Sequence, residues 1–255
     1  YVADRLASIR PDRLQPMRLA LIIPTFSSPF YGEMIDGMEQ AARSHDLKIM
    51  ASQSEYRRDS ENEQLLEAAK DPTIAGAVVV PGAVDGPAPG ALRVIEAGKP
   101  LVYVGRWPAG LKCDTVSTDY LAAAKLAVSH LIAQGHRSIA YVEGAPHFAG
   151  FSPQSGYSEA LKEARIAQRA ELVCMSDLPS QEAGHAAVSE LIRRGVEFTA
   201  VFARNDVTAV GVMRALREAG LNIPGDVSVA AINNSLLARS LEPPVTTVDP
   251  YPSTL

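Results

Sequence analysis

The sequence predicts an α/β fold made of two Rossmann-like subdomains with parallel sheets. Three observations predict it. Short apolar runs recur along the chain without polar alternation. Helical periodicity fills the intervals between them. A Gly/Pro-rich stretch near the middle separates the runs into two sets.

The runs are LALIIP (19–24), LKIMAS (47–52), AGAVVVPG (75–82) and PLVYVG (100–105), then SIAYVEG (138–144), ELVCMS (171–176), TAVFA (199–203) and VSVAAIN (227–233). Such Val/Ile/Leu-rich runs suit strands covered by helices on both faces, as in a parallel sheet. Between them, Ile35, Met38 and Ala42 share one face of a helix over 29–44. Leu121, Ala124, Val128 and Leu131 do so over 119–134, and Val207, Val210, Met213 and Leu216 over 205–219. Pro29 follows Ser28 as a first-turn proline after a cap. Ser60 and Glu63 have capping-box spacing, and Asp119 and Ser180 can cap helices of their own. Gly98, Gly135, Gly195 and Gly220 each follow a periodic stretch, where helices stop. A TIM barrel alternates in the same way and is the structural rival. The stretch GAPHFAGFSP (144–153) favours two halves instead.

At 255 residues, 47% hydrophobic and 21% charged, the chain has room for one large domain or two small ones. A net charge of −5 argues against nucleic-acid binding by the body of the chain. Cys113 and Cys174 are too few for a disulfide framework, which points to a reducing compartment and to the cytoplasm. No signal-peptide pattern opens the chain, and no apolar run approaches the roughly 20 residues that span a bilayer. A signal-cleaved protein would look equally clean. The absence of an initial Met and the ending YPSTL read as trimmed ends.

In open α/β sheets ligands bind beyond the carboxyl ends of the strands. The residues there are Ser28, Phe30 and Tyr31 after the first run, Gln53 after the second, and Arg106 with Trp107 after the fourth. Asp119 opens a later helix. His147, Leu178, the trio Arg204, Asn205 and Asp206, and Asn233 follow the remaining runs. Aromatics, amides, arginines and carboxylates together suit a polar ligand held by hydrogen bonds and stacking. Capping alone would explain Asp119, Asn205 or Asp206. Phe30 and Tyr31 could be core aromatics, and Arg106 with Trp107 a surface cation–π pair. No nucleophile elbow, P-loop or zinc-protease motif is present, and the histidines have no metal spacing. The expectation is a binding module with no catalytic residue, metal or cofactor.

Four segments resemble the effector-binding core of LacI/GalR-type transcriptional regulators: IIPTFSSPFYGEMIDGMEQAAR (22–43), VSTDYLAAAKLAVSHLIAQGHRSIAYVEG (116–144), AVFARNDVTAVGVMRALREAGLNIPGDVSVAAIN (200–233) and PPVTTVD (243–249). The resemblance implies periplasmic-binding-protein type I architecture. It places an N-terminal subdomain at 17–144 plus 233–249 and a C-terminal one at 145–232 plus 250–255, with three crossovers. It further implies a small polar effector, a sugar or sugar acid, in the inter-subdomain cleft, a homodimer, and operator DNA bound through a preceding helix–turn–helix domain. Phe30 and Tyr31 match the family's aromatic pair, Arg106 its basic residue, and Asp119 and Asp206 its acidic ones. Leu178 stands where many members have a stacking aromatic. Pro153 and Asn233 replace a customary arginine and aspartate, so Arg204 is expected to supply a cation toward an anionic effector. Residues 1–16 resemble the family's hinge, which Ala7 matches, with Leu6 or Ile9 positioned for the minor groove. A periplasmic sugar-binding protein of a transporter is the alternative, and an enzyme the third reading.

Overall fold

The computed structural model describes residues 17–82, 89–108, 110–143, 153–176 and 179–254. Among them two five-stranded sheets form, and every strand pairing is parallel. The described residues up to Thr118, together with those from Pro252 on, make one unit. Asp119–Tyr251 make the other.

The first unit runs β1 (Arg18–Ile23), α1 (Pro29–Arg43), β2 (Lys48–Gln53), α2 (Arg58–Lys70), β3 (Ile74–Val79), α3 (Pro89–Glu96), β4 (Leu101–Val104) and β5 (Asp114–Val116), with strand order β2-β1-β3-β4-β5. Side chains alternate across β1. Ala20 and Ile22 pack with Leu65, Ala68, Ala91 and Val94, while Leu19, Leu21 and Ile23 pack with Met34. Both faces are therefore apolar, which is why the run shows no polar alternation. Burying each large aliphatic side chain stabilises by roughly 1.5–3 kcal/mol. β2, at the sheet edge, is only partly covered.

The second unit runs α4 (Tyr120–Ala133), β6 (Ile139–Val142), α5 (Pro153–Glu163), a 3-10 turn (Ala170–Leu172), β7 (Val173–Cys174), α6 (Gln181–Arg193), β8 (Ala200–Ala203), α7 (Asp206–Glu218), β9 (Ser228–Ile232), α8 (Leu236–Ser240) and β10 (Thr246–Val248). Its order is β10-β9-β8-β6-β7. Ile139 and Tyr141 face Val128, Tyr157 and Leu161, while Ala140 and Val142 face Val188, Leu191, Val212 and Leu216. Tyr141 stacks between Tyr157 and Phe202 at ring separations of 5.2 and 5.3 Å. Gly211 and Gly184 let α6 and α7 approach closely: a Cβ at Gly211 would strike the Gln181 carbonyl, and one at Gly184 the Thr208 carbonyl. His136, in the turn before β6, lies 2.9 Å from both Thr199 Oγ1 and Ser228 Oγ and so ties together the entries to β6, β8 and β9.

Several expectations change. The division at residues 144, 232 and 249 does not hold. β6 pairs with β7 and β8, and β10 with β9, so 119–143 and 233–251 belong to the second unit. The described chain passes between units twice, at Thr118–Asp119 and Tyr251–Pro252, not three times. Ser60 is not a cap. α2 starts earlier, at Arg58, and the Ser60 hydroxyl accepts from Gln64 Nε2 at 3.0 Å instead. Ser28 occupies the N-cap position of α1 without a side-chain cap bond. Asp119 and Ser180 do cap, accepting from the Ala122 and Ala183 N–H groups at 2.8 and 3.1 Å. On α7 the buried face is Ala209, Val212 and Leu216, with Val207 and Val210 only half-buried. The Gly/Pro-rich break lies almost wholly outside the described residues.

Candidate functional site

Because each sheet is parallel, all its strands end on one edge, and the following loops collect there. In the first unit, Ser28, Phe30, Tyr31, Gln53 and Arg106 follow strand ends as the sequence implies. Phe30 is buried and meets Tyr31 edge-on at 5.5 Å, and Tyr31 packs on the core formed with Met34. The pair therefore contributes to the core. Gln53 bridges neighbouring loops: its Oε1 accepts from the Phe26 N–H at 3.1 Å. Trp107 packs against the Tyr103 side of the core. The loop after β2 carries Glu55 and Tyr56 with φ of 55° and 58°, an uncommon left-handed pair of non-glycine residues. A Cβ at Gly82 would collide with Tyr56, so these loops are in close contact.

Beneath this edge lies a carboxylate the sequence reading passed over. Glu61, 2% exposed, accepts from the Gly82 N–H at 3.0 Å. Burial pushes its carboxyl up to about 7, against the lowering influence of that bond and of Arg106 and Arg58. Next to it on α2, Asn62 Oδ1 accepts from the Gly90 N–H at 2.7 Å.

The second unit presents a denser polar edge. Glu143 follows β6, Ser176 follows β7, Arg204 and Asn205 follow β8, Asn233 and Asn234 follow β9, and Asp249 follows β10. Glu143 is 2% exposed; its carboxylate accepts from the Tyr141 hydroxyl and pairs with Arg204 Nη1. Its carbonyl accepts from Ser176 Oγ at 2.9 Å. Burial works against the Arg204 charge, but the adjoining Glu143 carboxylate outweighs it and holds the guanidinium above its ordinary value. Arg204 is thus not the uncompensated cation expected from the sequence: its charge is matched by a carboxylate that became a neighbour only when β6 and β8 paired.

Asn205 caps α7, accepting from the Thr208 N–H at 2.9 Å. Asp206, 1% exposed, accepts from the Ser235 N–H at 2.6 Å and from Thr247 Oγ1 at 3.3 Å. One oxygen thus holds the loop after β9 and the other holds β10. Asn233 and Asn234 adopt positive φ of 122° and 51°, and Asn234 Nδ2 donates to Asp249 Oδ2 at 2.8 Å. Asp119 is exposed at the start of α4 and Tyr120 lies near Arg204. His147 and Leu178, and the hinge positions Leu6, Ala7 and Ile9, lie outside the described residues.

Among the described residues no group of three or more His, Cys, Asp or Glu side chains is arranged to hold a metal, and no helix is long and apolar enough to cross a membrane. What the second edge offers is a set of hydrogen-bonding groups at neighbouring strand ends, with the Tyr141, Tyr157 and Phe202 rings stacked in the buried core.

Comparison with known proteins places this array in context. Residues 128–255 match the periplasmic binding protein-like domain. The chain is 32% identical over 258 residues to the HTH-type transcriptional regulator CelR of Thermobifida fusca, covering 98% of this chain and 74% of that protein. It is 30% identical to the HTH-type transcriptional regulator GalR of Salmonella typhimurium strain LT2, covering 90% of this chain and 66% of that one. The chain therefore spans about two thirds of the length of such relatives. Among solved structures it superposes on the transcription regulator CcpA of Lactococcus lactis with a TM-score of 0.82 at 25% identity, covering 94% of this chain and 87% of that one. It superposes on a transcriptional regulator CelR–cellobiose complex with a TM-score of 0.80 at 28% identity, covering 97% and 77%.

Proposed function

The chain belongs to the LacI/GalR family of transcriptional regulators, and on that footing we propose that it is the effector-binding core of such a regulator and senses a small polar metabolite of carbohydrate type. The observation that carries this reading is the polar edge of the second sheet. Glu143, Arg204, Asn205, Asn233 and Asn234 follow the carboxyl ends of neighbouring strands, where a parallel sheet receives its ligand. Asp206 acts there as a positioning residue, since its oxygens are committed to Ser235 and Thr247. In the first unit Ser28, Tyr31, Gln53 and Arg106 supply the corresponding strand ends.

In this reading the protein is a homodimer that acts on operator DNA in the cytoplasm through a helix–turn–helix portion of the full protein. Residues 1–16 serve as the hinge, with Leu6 or Ile9 toward the minor groove. Arg5, Arg10 and Arg13 give that segment a basic character suited to phosphates. The effector biases one of two arrangements of the dimer and thereby sets operator affinity. The chain performs no catalysis.

A thermal-shift screen of sugars, sugar acids and nucleobases tests the reading. A ligand that binds only the folded state adds about 2.7 kcal/mol at a hundred times its Kd. A carbohydrate should raise the melting temperature and change operator binding by the full protein. A response confined to nucleobases would overturn the carbohydrate assignment.

A further inference from the structure

We propose that the Glu143–Arg204 pair is a charge filter that makes the second unit select neutral polyhydroxyl ligands and reject their carboxylate counterparts. This rests on the carbohydrate reading above and specifies the class of carbohydrate.

The argument begins with where the two charges sit. Glu143 follows β6 and Arg204 follows β8, and these strands are neighbours in the sheet. Both side chains therefore stand on the edge where the strand-end loops gather. The Arg204 side chain keeps 20% of its surface exposed against 2% for Glu143, so it is the member of the pair open to a ligand at this edge. A guanidinium carries five N–H donors. Among the described residues one of them is engaged, by Glu143. The others can serve hydroxyl oxygens of a ligand. An anion that approached Arg204 would also feel the field of the Glu143 carboxylate paired behind it. That repulsion offsets part of the attraction, and the anion still loses its hydration.

The pair is also built to stay. The Tyr141 hydroxyl donates to Glu143, and Tyr141 is itself locked between the Tyr157 and Phe202 rings. Ser176, just after β7, fixes the Glu143 backbone by donating to its carbonyl. The Glu143 carboxylate therefore cannot swing away from Arg204 to admit an anion without also breaking its bond to the Tyr141 hydroxyl. Arg204, which the sequence alone marks as an anion receptor, becomes a neutral-ligand donor once its partner is seen.

The test uses thermal shift and calorimetric titration on the chain with matched pairs: neutral mono-, di- and trisaccharides, each beside its uronic or aldonic acid. The wild type should respond to at least one neutral sugar and bind the matched acid at least about tenfold more weakly. Glu143→Gln, close to isosteric, should narrow that gap by about tenfold or more by removing the opposing charge. An acid that binds the wild type as tightly as its neutral partner overturns the filter while leaving the carbohydrate reading intact. So does a folded Glu143→Gln variant with an unchanged gap. No response to any pair overturns both.

Discussion

The carboxylate of Asp206 accepts a hydrogen bond of 2.6 Å from the backbone N–H of Ser235, joining the start of α7 to the loop after β9. The same side chain accepts from Thr247 in β10. Asp206→Ala strands a buried donor and should destabilise the protein by roughly 2–3 kcal/mol in urea denaturation. Asp206→Asn, which keeps an acceptor oxygen, should lose less. Equal stability of the alanine variant and the parent would show that Asp206 is not the anchor of this loop.

The crossing of α6 and α7 depends on hydrogen atoms where other residues carry a Cβ. Gly211→Ala drives a methyl group into the Gln181 carbonyl, part of a helix backbone that cannot turn aside. The expected cost is roughly 1–3 kcal/mol. Gly32→Ala in α1, where nothing lies within 4 Å, is the control and should be stable by comparison. Thermal melts of the two variants decide the matter.

Glu61 gives the first unit a pH dependence of definite sign. Its folded carboxyl titrates at about 7, above the ordinary 4.5, chiefly because of burial. Between those values the folded protein holds a proton that the unfolded chain has released. Stability should therefore fall as pH rises from about 4.5 to about 7, then level off. Glu61→Gln should flatten that component, read as the pH dependence of the urea midpoint. A parallel curve for variant and parent would refute the assignment.

His136 works in the opposite direction. Burial holds its imidazole below the ordinary 6.5 while Thr199 and Ser228 sit at its two nitrogens. The folded protein thus resists protonation that the unfolded chain accepts. Its contribution is present above about pH 6.5 and is lost as pH falls through the lower folded value. His136→Asn should lower stability at neutral pH and reduce the further loss on acidification. The two variants separate two effects that partly cancel in the parent.

Much of the architecture was legible in local sequence. The unbroken apolar runs marked strands with two covered faces, and Gly98, Gly135, Gly195 and Gly220 do turn the chain at positive φ. Asp119 and Ser180 cap where expected. The assignment of strands to sheets was not legible. IAYV and LVYV look alike, and only long-range pairing sends one to each sheet. The three-residue β5 and β10 and the two-residue β7 are too short to show a period. The candidate site was legible as a set of strand-end positions but not as chemistry. Arg204 read as a lone cation because Glu143, far away in sequence, becomes its partner only through β6–β8 pairing. Glu61 sat in a charged helix, as the first residue of ENEQ (61–64), with nothing local to mark it as the residue turned inward.

The second unit is drawn from one stretch, Asp119–Tyr251, and among the described residues the five strands of the first sheet all lie at or before Val116. A chain emerging from the ribosome therefore presents the five described strands of one sheet before any described strand of the other. Two sheets with near-identical apolar strands could exchange partners if they assembled together. Their order along the chain separates the two assemblies in time, so the first has no competing edge to pair with while it closes.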